Sequence, residues 1–245
     1  MTNTREDQTF PFVIRGESTP HISDVIFKLL DRKTLAKSRL VSSVWRDFVD
    51  SDTSLWGRVS TDKYIRAAEE GRVDICRLII EKVKDRNPKS EVFDTPLHRA
   101  AINGHLEVCR LIIEKIDDKN PAIGGWTPLH WASRNGHLGV CRLILENIED
   151  KNPADILGRT PLYWAAEKGH IDVCRLIIEN VEDKNPADAE GWTPLHSAAL
   201  YGHLDMCRLI IERVEDRHPV NNRGDTPLDI AKRRQDTAMQ ELFQN

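Results

Sequence analysis

Gly191-Trp192-Thr193-Pro194-Leu195-His196-Ser197-Ala198-Ala199-Leu200-Tyr201-Gly202-His203-Leu204-Asp205-Met206-Cys207-Arg208-Leu209-Ile210-Ile211-Glu212 is the stretch that the chain repeats. Its Thr-Pro core occurs at Thr95, Thr127, Thr160, Thr193 and Thr226, at intervals of 32, 33, 33 and 33 residues. A fixed period in this range marks small units that cannot bury an apolar face alone and do so by stacking. Thr before Pro predicts a helix start, a capping hydroxyl followed by a proline at the first helical position. Gly104, Gly136, Gly169 and Gly202 follow that first helix, where a left-handed turn admits glycine best. A second helix starts near Glu107, Gly139, Asp172 and Asp205, with an apolar stripe such as Val173, Cys174, Leu176, Ile177 and Val181. Because Val181 continues the stripe by i+4 and β-branched residues avoid left-handed backbone, the second helix is expected to run on through Val83, Ile116, Ile148, Val181 and Val214. It should stop before Asn87-Pro88, Asn120-Pro121, Asn152-Pro153 and Asn185-Pro186, since the residue before a proline disfavours helix.

The cysteines keep the same register: Cys76, Cys109, Cys141, Cys174 and Cys207, one per unit. Equivalent positions of stacked helices lie about 8–10 Å apart, too far for disulfides, so these read as small buried hydrophobes. Seven of the nine histidines are also locked to the repeat: His98, His130 and His196 after Thr-Pro-Leu, and His105, His137, His170 and His203 after glycine. Repeated Glu-Asp-Lys, as at Glu182-Asp183-Lys184, reads as a solvated face. There is no phosphate-cradling glycine loop, no metal-ligand constellation and no acid–base pair that would mark an enzyme or a cofactor site.

The Thr-Pro-Leu-His-x-Ala run at this period resembles the ankyrin repeat, through His98-Arg99-Ala100-Ala101, His130-Trp131-Ala132-Ser133 and His196-Ser197-Ala198-Ala199. The likeness extends over residues 61–245: a truncated first repeat at 61–87, four full repeats at 88–219 and a capping repeat at 220–245, where Asp229 replaces the histidine. It implies an α-solenoid with β-turn fingers and a structural role for His98, His130 and His196, bonded to the backbone of a neighbouring turn. It also implies a concave face built from finger tips and first helices, where a target protein would bind. The varied residues there are rich in the types that dominate interface energies, giving Arg99, Trp126, Trp131, Arg134, Trp164, Trp192 and Tyr201 as candidate target-binding residues. Trp126 and Trp192 could equally pack their own fingers onto the adjacent turn. The finger at Ile156-Leu157 exposes two aliphatics. The basic run Lys232-Arg233-Arg234 reads as a solvated cap, with a nuclear-import patch as the alternative.

Residues 1–17 read as a loosely packed tail with one apolar patch, Phe10–Ile14. Residues 18–60 lack the repeat. Ile22, Ile26 and Leu30 form an i, i+4, i+8 stripe after Pro20, and a second helix carries Leu35, Val41, Trp45 and Phe48. So small a segment buries too little surface to stand alone and needs a neighbour. It resembles an F-box through Pro20, Ile22, Ile26, Phe27, Leu30, Leu35, Val41, Trp45, Leu55 and Trp56, although Thr19 and His21 stand where the family has its leading leucine and following acid, and Ser42 where it has cysteine. The resemblance implies that Pro20, Ile22, Ile26, Phe27, Leu30, Leu35, Trp45, Leu55 and Trp56 dock on a Skp-family adaptor and, through it, a cullin. The chain would then be a non-catalytic, substrate-recognising subunit of an SCF-type ubiquitin ligase. The alternative is a plain ankyrin scaffold or inhibitor whose N-terminal helices only cap the array.

The bulk properties fit both. The 245 residues are 30% charged with a net charge of -4, so no basic excess points to nucleic acid, and no apolar run suits a bilayer. The polar N-terminus is unlike a secretion signal. The expectation is an all-α, cytoplasmic or nuclear protein, monomeric apart from its complex.

Overall fold

The computed structural model describes residues 61–89 and 94–244. The twelve helices among these residues come in pairs: α1 (Thr61–Glu69) with α2 (Val73–Lys82), α3 (Pro96–Ile102) with α4 (Leu106–Ile113), α5 (Pro128–Arg134) with α6 (Leu138–Asn147), α7 (Pro161–Lys168) with α8 (Ile171–Ile178), α9 (Pro194–Tyr201) with α10 (Leu204–Ile211), and α11 (Pro227–Arg233) with α12 (Thr237–Gln244). First helices stack on first helices and second on second, each unit touching its neighbours as a solenoid requires. Between the two layers lie Leu97, Ile112, Leu129, Ile144, Leu162, Ile177, Leu195 and Ile210, all with no exposed surface. The five cysteines are free and buried beside them. Burial pushes the thiols of Cys76, Cys109, Cys141 and Cys207 up to about 12 and raises that of Cys174 well above its ordinary value. The small Ala100, Ala132, Ala165 and Ala198, also without exposed surface, let consecutive first helices approach closely.

Each first helix from α3 to α11 begins as its sequence dictates. Thr95, Thr127, Thr160, Thr193 and Thr226 are extended, and each hydroxyl accepts the amide three residues on, with proline next in line. After the helix, Gly71, Gly104, Gly136, Gly169 and Gly202 take φ between 69° and 81°. Gly136 shows why no other residue suits: at φ +74°, an added Cβ would lie 2.6 Å from Nδ1 of His170. That imidazole is close because its Nε2 donates to the Arg134 carbonyl at 3.0 Å. Gly136→Ala is therefore expected to lower stability by about 1–3 kcal/mol, from left-handed strain alone, with the displaced His170 adding to it. Urea titration of wild type and variant checks this, and an unchanged midpoint would contradict it. In the last unit Gln235 holds the glycine position at φ 58°.

The second helices do not run on as expected. α2 stops at Lys82 and α6 at Asn147, and Val83 and Ile148 are extended at φ/ψ of -87°/146° and -122°/154°. Helices α4, α8 and α10 end earlier still, at Ile113, Ile178 and Ile211, so Ile116, Val181 and Val214 lie beyond them. None of these residues is left-handed, as expected of β-branched side chains. The helix ends instead in a brace coded by the following Asp-Lys-Asn-Pro. Asp85, Asp118, Asp150, Asp183 and Asp216 each accept the amide two residues on at 2.9–3.1 Å. Lys119 donates to the Ile113 and Ile116 carbonyls, Lys151 to that of Leu145, and Lys184 to those of Val181 and Glu182. The Glu-Asp-Lys run is therefore a helix stop and not merely a wetted face. Asn87, Asn120 and Asn185 then accept the amides of Leu97, Leu129 and Leu195 at 3.0–3.1 Å, tying each brace to the next helix.

Candidate interaction surface

The histidines stitch neighbouring units in both directions. His98, His130 and His196 lie 28 or 29 residues before the carbonyls they donate to, those of Trp126, Arg159 and Asp225, at 3.0–3.2 Å. A carbonyl only accepts, so Nε2 carries the proton and Nδ1 accepts from the capping threonine hydroxyl at 2.9 Å. His105, His137, His170 and His203 reach back to the carbonyls of Glu69, Ile102, Arg134 and Glu167 at 2.9–3.0 Å. All seven are thereby engaged in structure. Burial pushes the imidazole pKa of His98 and His196 below the ordinary value and that of His130 down to about 4. In the capping unit Asp229 keeps half of the device: its carboxylate takes the Thr226 amide at 3.0 Å and the hydroxyl at 2.6 Å.

The fingers differ by one side chain. Asp155, Asp188 and Asn221 each fold their finger by accepting two amides, two and four residues on, at 2.8–3.0 Å. Ile123 holds that position in the short finger, its amide on the Trp126 carbonyl as in the others, but its side chain offers no acceptor. There Gly124 and Gly125, at φ 58° and 79°, close a two-residue turn between Ile123 and Trp126, which exchange both backbone hydrogen bonds. The turn places Trp126 over the first helices of its own and the next unit.

Trp126 lies 4.5 Å from Trp131 of α5 and 4.5 Å from Trp164 of α7, ring centre to ring centre. Arg134, one turn after Trp131, sets its guanidinium 5.9, 6.0 and 5.4 Å from the Trp126, Trp131 and Trp164 rings. Four candidate residues thus form one patch. Trp164 is its floor, only 8% exposed, with the indole N–H donated to Asp155 at 3.3 Å. Trp126, Trp131 and Arg134 are half-buried.

Beside this patch stand residues that pattern reading did not single out. Tyr163 fills the histidine slot of α7, and Arg159 lies 5.3 Å from its ring and 5.4 Å from Trp164 while pairing with Asp188 at 3.3 Å. The only sequence trace of this is the break in the Thr-Pro-Leu-His run at Thr160-Pro161-Leu162-Tyr163. The remaining candidates have other partners. Arg99 pairs with Asp94 at 2.5 Å and Glu69 at 3.5 Å; Trp192 lies 5.6 Å from His196; Tyr201, 49% exposed, stacks on His203 at 6.5 Å with Lys168 at 6.0 Å. Ile156 and Leu157 are 78% and 46% exposed, as their finger position suggested. Pro20, Ile22, Ile26, Phe27, Leu30, Leu35, Trp45, Leu55 and Trp56 lie outside the described residues.

The basic run at the C-terminal end is spent within the fold. Lys232 lies 3.8 Å from Asp229, Arg233 pairs with Asp225 at 2.7 Å, and Arg234 donates to the Leu200 carbonyl at 2.6 Å. The arginine after each cysteine makes an exposed row, Arg77, Arg110, Arg142, Arg175 and Arg208, but every member has a glutamate four residues on, so the row offers no net basic face. Among the described residues, no three His, Cys, Asp or Glu side chains converge as a metal site would need, and no helix is long and apolar enough to cross a membrane.

The repeating helix pairs are what one family model describes. An ankyrin-repeats model matches residues 64–155, 119–188, 149–221 and 180–245, and an F-box-like model matches residues 21–62. No curated protein matches the chain significantly. Both families are typical of non-catalytic adaptors that work through protein–protein contact. With three-quarters of its residues in matched repeats, the chain belongs to the ankyrin-repeat family and carries an F-box-like domain ahead of the array.

Proposed function

We propose that this chain is the substrate-recognition subunit of an SCF-type cullin–RING ubiquitin ligase. Residues 18–60 dock on a Skp-family adaptor, and the array of residues 61–245 holds a target protein. The observation that carries this reading is the order of modules: the F-box-like match ends at residue 62 and the repeat match starts at residue 64. An adaptor-binding head is thus joined without a spacer to a surface with an aromatic, arginine-bearing patch. The chain supplies position, not bond chemistry: it holds the target near the ubiquitin carrier and raises its local concentration. An array stitched by histidines in both directions loses little conformational freedom on binding.

The adaptor face is assigned to Pro20, Ile22, Ile26, Phe27, Leu30, Leu35, Trp45, Leu55 and Trp56, with Trp45 as anchor. Co-expression with a Skp-family adaptor and purification through a tag on the chain is expected to bring the adaptor along. Trp45→Ala or Leu30→Asp should abolish recovery while leaving the thermal transition of the array unchanged. If the wild-type chain brings no adaptor, the ligase reading fails and the segment is a cap.

A further inference from the structure

The patch around Arg134 contains a cation with no described counter-ion. Its Nε is buried and meets no acceptor among the described residues, and its guanidinium contacts there are the three indole rings. Glu167, at the register position of Arg134 on the next first helix, pairs with Lys168 at 2.9 Å, and the carboxylates of the two following fingers are used as well. Asp155 accepts the Leu157 and Arg159 amides on one oxygen and the Trp164 indole on the other. Asp188 accepts the Glu190 and Trp192 amides on one oxygen and Arg159 on the other. The patch therefore holds a surplus donor on an aromatic floor. A planar fork held by rings on several sides suits a carboxylate, which can accept two parallel N–H bonds. A methylated ammonium is the wrong partner, because Arg134 itself occupies the position a cation would take between the rings.

Apolar surface adjoins the fork. The finger bearing the exposed Ile156 and Leu157 packs on Gly125, next to Trp126: a Cβ on Gly125 would lie 2.5 Å from the Ile156 amide nitrogen. We propose that this patch binds an acidic peptide segment of the target, pairing one of its carboxylates with Arg134 and laying a neighbouring aliphatic or aromatic side chain on the tryptophans and the Ile156–Leu157 finger. This rests on the target-binding half of the proposed function and is independent of the adaptor half.

The test is a cellulose-bound set of octapeptides, permuting Asp/Glu, Asn/Gln and Lys with Leu/Phe, probed with the purified full-length chain. The strongest spots are then titrated by fluorescence anisotropy. Acidic–apolar peptides are expected to bind at least about tenfold tighter than their Asn/Gln counterparts, the scale of a charge-assisted hydrogen bond. Arg134→Gln should remove that preference, while Arg208→Gln on the second-helix row should keep it. The acid-versus-amide comparison uses the wild-type chain, so the decision does not depend on how the Arg134 variant folds. Equal binding of acidic and amide peptides, or no binding by any, overturns the inference. Adaptor co-purification measured on the same protein tells this failure apart from failure of the ligase reading.

Discussion

Acidification from pH 7 to pH 4 is expected to destabilise the array by about 3 kcal/mol through His130 alone, with His98 and His196 adding in the same direction. The imidazole of His130 falls to about 4 because burial strips water from the charged form, whereas an unfolded histidine titrates near 6.5. Between those values the unfolded chain binds a proton that the native chain refuses, so stability drops as pH falls. The contribution is fully present above pH 6.5 and is lost as pH falls to about 4. Hydrogen bonding explains why the native state resists: Nδ1 of His130 accepts the Thr127 amide at 3.2 Å and Nε2 donates across the repeat boundary. A proton on Nδ1 would oppose that amide and break the cap. Asp225 and Asp229 are held below their ordinary 3.8 by hydrogen bonds, from Arg233 and Thr226 respectively, so any loss from them belongs to more acid solution. Urea titrations at pH 7.5, 6, 5 and 4 check the slope. His130→Gln should be less stable at pH 7.5 and lose less between pH 6.5 and 4. A flat profile down to pH 5 would show that these imidazoles are not buried neutral.

Leu162→Ala is expected to cost about 2–5 kcal/mol, the range for emptying a leucine site in a packed core. Leu162 has no exposed surface and sits in the fourth unit from the N-terminal end of the described array. A solenoid is held by contacts between neighbours, so a local loss of this size also weakens coupling along the stack. Unfolding followed by circular dichroism should then separate from unfolding followed by tryptophan fluorescence, because Trp126, Trp131 and Trp164 gather around this unit. Coincident transitions shifted by less than about 1 kcal/mol would mean that the site collapses without leaving a cavity.

Features set by one residue and its near neighbours were legible before any coordinates. Thr160 caps because its hydroxyl meets an amide three residues away, and Gly136 turns because a side chain is strained in left-handed backbone. The end of the second helix was misread because periodicity reports burial and not backbone conformation. Val181 is buried, 9% exposed, but reaches the core beyond the helix, and the Lys184 and Asp183 brace that stops the helix resembles ordinary surface charge in a linear reading. The aromatic patch was half legible. The period places Trp131 and Trp164 in register on adjacent first helices, and Arg134 follows Trp131 by one turn. Arg159 and Asp155 were not legible, because their place depends on the path of a finger folded by a side-chain acceptor that the preceding finger lacks.

Tyr163 has a consequence for the solenoid as a mechanical object. Three junctions are pinned by forward-reaching imidazoles and slacken when those groups charge. The seam from α7 to α9 has a phenol in that place and keeps its backward tie from His203 to the Glu167 carbonyl. In mild acid this seam, like the one from α1 to α3 where Ile65 takes the histidine position, has no forward imidazole tie to lose. The pair of units it joins should be the last to fray, and the arginine-and-tryptophan patch straddles the edge of that surviving block.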